Sequence, residues 1–519
     1  MSDAPAVEML GISKRFGPVE ANADVHLTVA RGTVHGIVGE NGAGKSTLMS
    51  VLYGFYTSDS GSIKVFGQEA TIRNAHEAIA LGIGMVHQHF MLVDTLSALE
   101  NVMLGAEPHV LLHKAEAIVR RRLGELMAST GLKVALDAVV GDLSVGDRQR
   151  LEILKALYRG AKILILDEPT AVLTPQETEQ LFGVLALLRE QGTTILLITH
   201  KLKEVMRLCD RVTVMRAGRV VEEVDIADAT VERLAEAMVG RKVQMGRDGD
   251  THKSAGAVLL KASGIHVVDS MGVVRLHDLA LELKAGEIVG IAGVSGNGQS
   301  ELLEALSGLL VPAQGQLAVG GRQFAAPAWI DPRTARTLGL AHVPEDRHER
   351  ALVMRFAAWE SAVLGYEWLP QYCRAGWMQR AQMVQATAHM MEQFDVRPRD
   401  AQLVCASFSG GNQQKLVLAR ELGQAPTVLL VGQPTRGVDI GAIEFIYRQL
   451  RAMRDAGCAV LVVSSELDEI LALSDRVIVM NQGHIAGELP IADCNEHTLG
   501  MLMTGGASFD TAVAAGIAA

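Results

Sequence analysis

Gly39-Glu40-Asn41-Gly42-Ala43-Gly44-Lys45-Ser46-Thr47 has the composition of a polyphosphate cradle. Its glycines let consecutive backbone N–H groups turn inward, and a helix opening at its end adds positive potential. Lys45 can neutralise charge on β- and γ-phosphates, and Ser46 can bind Mg²⁺. The spacing is that of the phosphate-binding loop GxxxxGK[ST]. A second group lies downstream, in Ile163-Leu164-Ile165-Leu166-Asp167-Glu168-Pro169-Thr170. Asp167 suits Mg²⁺ through water, and Glu168 suits a general base that polarises an attacking water. His200 ends the run Thr194-Ile195-Leu196-Leu197-Ile198-Thr199-His200 and could hydrogen-bond a γ-phosphate. Gln88 ends another, Gly84-Met85-Val86-His87-Gln88, and can reach a metal or water near the phosphates. His87 and His89 stand two apart with no further clustered ligand, which argues against a zinc-type site.

Two further candidates are open on position alone. Phe16 lies 23 residues before the loop; it could stack on an adenine or fill the core of a hairpin. Ser144 and Gly146, in Leu143-Ser144-Val145-Gly146-Asp147-Arg148-Gln149-Arg150, open a helix that runs through Leu157. Such a turn can bind an anion, but an ordinary N-cap has the same composition.

The elements that must position these residues are legible as hydrophobic pattern. Val34–Val38, the run that Gly84-Met85-Val86 ends, Ile163–Leu166 and Thr194–Ile198 are short apolar, strand-like runs. Ligands bind at the C-terminal ends of such strands. Val7 to Val29 reads as short strands around Gly17-Pro18. Residues 100–140 read as helical, with Leu111 to Met127 carrying apolar residues at helical spacing.

The chain of 519 residues, 49% hydrophobic and 21% charged, has room for two or more domains with sizeable cores. Its net charge of -11 and pI near 5.8 argue against nucleic acid as the main partner. The five cysteines are scattered and none has CxxC spacing, which predicts reduced thiols without disulfides or zinc. Met1-Ser2-Asp3-Ala4-Pro5 lacks the pattern of a signal peptide, and no uncharged apolar run is long enough for a membrane span.

The sequence also repeats. Leu208-Cys209-Asp210-Arg211-Val212-Thr213-Val214-Met215 returns as Leu473-Ser474-Asp475-Arg476-Val477-Ile478-Val479-Met480. The glycine loop returns as Gly293-Val294-Ser295-Gly296-Asn297-Gly298-Gln299-Ser300. The loops stand 254 positions apart (Gly39 to Gly293) and the later motifs 265 apart (Asp210 to Asp475), so the second copy carries about eleven extra residues. This is a duplicated domain. The expected organisation is a first domain over 1–243, a linker over 244–256, a second domain over 257–505 and a Gly/Ala-rich tail over 506–519.

The order of these motifs, twice over, resembles the ATP-binding subunits of ABC transporters across about residues 7–505. More narrowly, it resembles the fused two-copy ATPase subunits of bacterial sugar and nucleoside importers. Val86-His87-Gln88-His89-Phe90-Met91-Leu92-Val93, Pro344-Glu345-Asp346-Arg347-His348 and Gln433-Pro434-Thr435-Arg436-Gly437-Val438-Asp439 are most similar to the nucleoside branch, linked to purine-binding lipoproteins. The resemblance implies an α/β fold of two tandem ABC-type P-loop ATPase domains. Each would have a RecA-like core, a helical subdomain and an antiparallel β subdomain. It implies ATP and Mg²⁺, two integral-membrane permease subunits, and a periplasmic or lipoprotein substrate-binding protein. It places the chain peripherally, on the cytoplasmic face of the inner membrane.

In that family two ATPase domains pack head to tail, and each ATP lies between the loop of one and the serine–glycine signature of the other. On that pattern the first composite site is complete. It takes ATP-binding Phe16, Gly39, Asn41, Gly42, Gly44, Lys45, Ser46 and Thr47, with catalytic Glu168, His200 and Gln88. Ser46, Gln88 and Asp167 are its metal residues. From the second half it takes Ser409, Gly410, Gly411 and Asp439, with Phe408 and Asn412 standing where the family has Leu and Gln. The second composite site is degraded. Gln299 replaces the lysine beside Ser300, Glu345 the glutamine, Gly432 and Gln433 the two carboxylates, and Ser465 the histidine. Ser270 stands where Phe16 does. Its facing signature, Ser144 and Gly146, has Val145 and Asp147 where the family has Gly and Gln, and Thr174 replaces the aspartate. The losses follow one composite site across both halves, which predicts one hydrolytic and one non-hydrolytic site. The glycines of the second loop leave a usable nest, but Glu345 is expected to repel phosphate and weaken binding there. The competing readings are a sugar importer of the same class and a soluble, ribosome-associated tandem ATPase.

Overall fold

The computed structural model describes residues 4–17, 19–87, 90–106, 112–170, 173, 175–242, 255–294 and 296–504. Pro18, Gln88, His89, Leu111, Thr174, Ser295, most of the expected linker and the tail lie outside them. The chain divides into two compact units, residues 1–243 and 244–519.

The first unit has two sheets. β1 (Val7–Phe16), β2 (Val19–Val29), β4 (Ser60–Val65) and β5 (Gln68–Ala70) form an antiparallel sheet in the order β2-β1-β4-β5. β1 and β2 are long rather than short. They pair from Val7↔Val29 to Phe16↔Val19, and register shifts after Met9 and Ile12 keep the ladder going where a straight one would drift. β3 (Val34–Gly39), β6 (Ile83–Val86), β7 (Ile163–Asp167), β8 (Thr194–Ile198), β9 (Arg211–Arg216) and β10 (Arg219–Asp225) form the second, in the order β10-β9-β3-β8-β7-β6. All its pairings are parallel except the β9–β10 hairpin. β3, β6, β7 and β8 are buried along their whole length, as strands covered on both faces must be. A core of Met9, Val25, Leu27, Ile37, Leu48, Leu52 and Leu196 joins the antiparallel sheet to one face of the parallel one.

The helical segment is more broken than 100–140 as one block. Helices run Ala98–Met103 and Leu112–Thr130. Gly105 and Gly131, at φ +73° and +72°, take left-handed conformations that cost other residues more. Ser97 and Glu100 begin the first helix with a reciprocal capping box. The signature helix spans Val145–Tyr158.

The second unit repeats this plan. β11 (Val258–Val268), β12 (Val274–Lys284), β14 (Gln314–Val319) and β15 (Arg322–Ala325) form the antiparallel sheet β12-β11-β14-β15. β13 (Ile288–Ala292), β16 (Leu340–Val343), β19 (Val428–Gly432), β20 (Ala459–Ser464), β21 (Arg476–Asn481) and β22 (His484–Pro490) form the sheet β16-β19-β20-β13-β21-β22. A small hairpin, β17 (Cys373–Arg374) and β18 (Trp377–Met378), precedes the helix Arg380–Gln393. The extra residues are spread over three segments. The offset from the first unit is 254 at β15, 257 at β16, 260 at the helix Ala358–Val363 and 265 at Ser409. No helix among the described residues is long and apolar enough to cross a membrane.

Candidate functional site

In the first unit, the segments that carry candidate chemistry all follow parallel strands that are neighbours in the sheet. The glycine loop follows β3, Thr199-His200 follows β8, Asp167 ends β7 with Glu168 next, and His87 follows β6. Their C-terminal ends therefore converge on one edge. Gln88 falls outside the described residues.

The loop is shaped by contacts only glycine permits. A Cβ on Gly39 would stand 2.3 Å from the Met215 carbonyl oxygen. One on Gly44, at φ +97°, would stand 2.3 Å from that of Ala21 and 2.6 Å from Asn22 Nδ2. Asn22, buried on β2, donates to the Gly44 carbonyl at 3.1 Å and so ties the loop to the antiparallel sheet. Sequence reading missed Asn22, because a lone polar residue in a strand has no motif around it. The helix Lys45–Leu52 starts directly from Gly44. Lys45 is buried, and its ammonium donates to the carbonyls of Gly39 at 2.7 Å and Glu40 at 3.0 Å. The charge is thus carried over the loop itself. Asn41 and Gly42 lie exposed at its rim, with Ser46 and Thr47 on the first helical turn.

Two contacts link the loop and strand ends. The Ser46 hydroxyl faces the Asp167 carboxyl closely enough to lower it. Burial nevertheless raises the Asp167 carboxyl above its ordinary value, with the Glu168 charge adding to this and the Ser46 hydroxyl and Lys45 opposing it. Glu168 Oε1 and His200 Nδ1 are 2.9 Å apart. Burial alone would raise Glu168, but the His200 hydrogen bond and the charges of His200, Lys45 and Lys201 outweigh it and hold the carboxyl low. The Glu168 backbone is in the left-handed region at φ +48°, with its N–H on the Ile198 carbonyl at 2.9 Å. A non-glycine residue there carries strain of order 1–3 kcal/mol. Thr170, beyond Glu168, donates to buried Glu204 on the helix after His200, a brace the motifs did not reveal.

Phe16 ends β1 and is 41% exposed, so it is no hairpin core residue. Its ring meets Tyr56 edge-on at 5.0 Å, and Lys14 Nζ lies 5.6 Å from its centroid.

The second unit keeps the backbone and changes the side chains. Gln299 Nε2 donates to the Val294 carbonyl at 3.1 Å, as Lys45 does to Glu40, but without charge. Gln433 stands in the place of Glu168 at φ +46°, its N–H on the Val463 carbonyl at 2.7 Å. Its side-chain oxygen accepts from Ser465 N and Oγ at 3.2 and 3.1 Å, replacing the Glu168–His200 contact with a neutral one. Gly432 closes β19 where Asp167 closes β7. Ser300 Oγ donates to Glu345 at 2.6 Å.

The two signatures differ in polarity. Ser144 caps the helix Val145–Tyr158, accepting from Asp147 N at 3.1 Å, and its Oγ lies 2.8 Å from Asp147 Oδ2. An ionised carboxylate only accepts, so the Ser144 proton is committed to Asp147. Arg150 donates to Asp147 at 2.8 Å, and although burial works to raise that carboxyl, the Arg150 and Ser144 bonds hold it low. Gly146 is packed so that a Cβ would stand 2.3 Å from Glu177 Oε1. In the second unit Ser409 caps the helix Gly410–Leu422 and accepts from the Asn412 side-chain amide at 2.8 Å, which leaves its own proton free to be donated. Arg347 and His348 brace this signature through Gln413, which in turn donates to the Phe408 carbonyl. Gly411 is buried, with Asp439 Oδ2 3.4 Å from where its Cβ would be. Asp439 caps the helix Ile440–Asp455 through Ala442 N at 2.8 Å. Thr174, its counterpart, lies outside the described residues.

Comparison with known proteins agrees with this architecture. The sequence profile described as ABC transporter matches residues 23–171 and 276–436. Guanosine import ATP-binding protein NupO of Bacillus subtilis is 44% identical over 96% of this chain and 97% of its own length. Nucleoside import ATP-binding protein NupA of Lactococcus lactis subsp. cremoris is 42% identical over 98% and 99%. Ribose import ATP-binding protein RbsA of Chromobacterium violaceum is 40% identical over 96% and 98%. Among solved structures, an archaeal ribosome recycling factor in complex with a ribosomal stalk protein matches with a TM-score of 0.62. At 19% identity, over 92% of this chain and 90% of that one, it shows the shared fold alone.

Proposed function

The chain belongs to the ABC transporter family, and from that premise we propose that it is the ATP-hydrolysing subunit of an importer for nucleosides. The observation that carries the ATPase reading is the pair of contacts at neighbouring strand ends, Ser46 with Asp167 and Glu168 with His200, beside the Lys45 loop. The nucleoside reading is supported by the printed functions of NupO and NupA. The ribose importer at 40% identity favours the sugar alternative. We assign residues 1–243 and 257–505 to the two ATPase domains, 244–256 to a linker and 506–519 to a tail. The partners would be two integral-membrane permease subunits and a periplasmic or lipoprotein binding protein, with this chain on the cytoplasmic face of the membrane.

In this reading Phe16 stacks on adenine while Gly39, Asn41, Gly42, Gly44 and Thr47 cradle the phosphates. Lys45, already held above the loop carbonyls, neutralises the terminal phosphates. Ser46 and Asp167, with Gln88, fit a Mg²⁺ ion, since a hydroxyl and a carboxylate already meet there. Bound Mg²⁺ supplies charge neutralisation across the phosphates. Glu168 is the general base. Its depressed carboxyl stays ionised, and His200 fixes its direction. Ser409, Gly410 and Gly411 would close on the γ-phosphate from the second domain, Ser409 giving the proton that Asn412 leaves free, with Asp439 behind them. Water attacks the γ-phosphorus, the bond to the bridging oxygen breaks, and Glu168 receives the water proton. ADP and phosphate then release the clamp.

Glu168→Gln tests the site, because the amide keeps the shape and loses the base. ATPase activity should vanish while ATP stays bound; surviving turnover removes Glu168 from its role. Vesicles carrying the assembled importer should take up radiolabelled guanosine in an ATP-dependent manner. Uptake of ribose alone would select the sugar reading, and recovery of ribosomes without a permease in a pull-down would overturn transport.

A further inference from the structure

The signature helix of the first unit has a hollow beside it. A cavity of about 660 Å³ lies between the end of the helix Leu112–Thr130, the signature helix Val145–Tyr158 and the helix Pro175–Glu190. That volume accommodates a small organic molecule. Leu132, Leu181, Val184 and Leu187 give it apolar walls, and it reaches the surface at exposed Lys133 and Gly183. It shares no lining residue with the ATP site.

The second unit fills the corresponding place with its own side chains. Thr130 and Phe394 each stand at the end of a helix, just before a left-handed residue, Gly131 at φ +72° and Asp395 at φ +48°. Gln180 and Phe445 occupy the same turn of the matching helices Pro175–Glu190 and Ile440–Asp455. Arg150 and Lys415 occupy the same turn of the two signature helices. Phe394 and Phe445 are buried and meet edge-on, with ring centroids 6.0 Å apart. Lys415 Nζ stands 5.0 Å from the Phe445 centroid, where the ring face attracts the cation. In the first unit both rings are gone and the cation stays. Thr130, Gln180 and Arg150 all line the cavity.

Two donors are left over beside it. Gln149 lines the cavity and is 3% exposed, and its Nε2 has no hydrogen-bond partner among the described residues. Neither has Arg150 Nε, although Gln180 and Asp147 hold that guanidinium at 2.9 and 2.8 Å. Buried donors without acceptors are costly and rare. An occupant that answers these features is flat and aromatic, to lie where the two rings lie in the other unit, and carries acceptor atoms on its edge. We propose that the cavity binds a purine nucleoside, with the base against Arg150 and its ring nitrogens or carbonyl accepting from Gln149 and Arg150. The choice of a purine nucleoside among heteroaromatic molecules rests on reading the chain as a nucleoside importer subunit, which makes the imported cargo the ligand. Gly146 and Asp147 form part of the wall, so an occupant bears on the cap of the signature helix.

The test uses the full-length chain carrying Glu168→Gln, saturated with ATP and Mg²⁺ so that guanosine cannot enter the ATP site, and titrated with guanosine in a calorimeter. One guanosine per chain is expected. Thr130→Phe with Gln180→Phe copies the second unit and should abolish guanosine binding while ATP binding is unchanged. Gly183→Leu should do the same from the rim, since a Cβ there meets nothing within 4 Å, and it decides the matter if the double variant does not fold. Gln149→Leu should weaken guanosine about 10-fold, the loss expected of one buried hydrogen bond. No guanosine bound to the parent, or equal binding to the parent and Gly183→Leu, overturns the inference. ATP-dependent guanosine uptake by vesicles without such binding overturns this site and leaves the importer reading standing. Uptake of ribose alone overturns that reading and the choice of ligand with it.

Discussion

Asp167 and Gly432 close corresponding strands of two units built to one plan, and the contrast between them separates what holds a phosphate loop in shape from what makes it reactive. Shape resides in the backbone. The left-handed glycines and the strained residue after the strand, Glu168 or Gln433, persist in both units within a few degrees. In the proposed mechanism, reactivity would reside in four side chains, Lys45, Asp167, Glu168 and His200. The second unit replaces them with Gln299, Gly432, Gln433 and Ser465. The signatures show the reverse asymmetry, since the uncommitted serine proton is in the second unit at Ser409 and the committed one in the first at Ser144.

The sharpest way to break this comparison is at the base. Glu168→Gln is expected to lower steady-state ATPase by about 10²–10⁴, measured by phosphate release. An equal loss from Gln433→Ala would erase the distinction between the units. Next in size is the serine pair. Ser409→Ala should cost roughly 10²-fold in turnover, as for other single donors to developing charge. Ser144→Ala should stay within about twofold, because Asp147 already holds that hydroxyl. Equal losses would show that the polarity of the two signatures is immaterial.

A third prediction concerns acid. Burial, with Arg211 nearby, pushes His35 on β3 down to about 4. Its pKa in the unfolded chain is the ordinary one near 6.5, so the unfolded state takes up the proton first as pH falls. Stability should therefore be lost between about pH 6.5 and 4, by about 3 kcal/mol for this one residue. In the second unit Val289 occupies the place of His35, but His342 on β16 is likewise driven down to about 4 by burial. Denaturant titrations at pH 7 and 4.5 should show His35→Gln and His342→Gln each losing less to acid than the parent. Smallest of all is Gln433→Ala, expected within about twofold of the parent ATPase rate.

Much of this was legible from residue types. The apolar runs before Gly39, Asp167 and His200 could only be buried strands, and their polar ends had to share an edge. The repeat located the second unit, and the resemblance named its missing groups. What the sequence withheld was pairwise geometry. Nothing local to Glu345 says that it occupies the space beside Gly432, eighty-seven positions later, or that Asn412 and Asp147 orient their serines oppositely. Those facts depend on strand order and helix packing, which no linear pattern encodes. A hint was present in that one copy gains an acid where it loses another. The bulges that lengthen β1 and β2 were also hidden, because they interrupt strict alternation.

Gln433 carries the backbone posture of Glu168 with an amide in place of the carboxylate. The residue after the strand is bent into a disfavoured conformation in both units, at a cost of order 1–3 kcal/mol, whichever side chain it carries. Such a frame is an engineering template. Gln433→Glu with Ser465→His would graft a carboxylate and its orienting ring onto a frame already bent to receive them, while Gln299 and Gly432 would still lack the charges of Lys45 and Asp167.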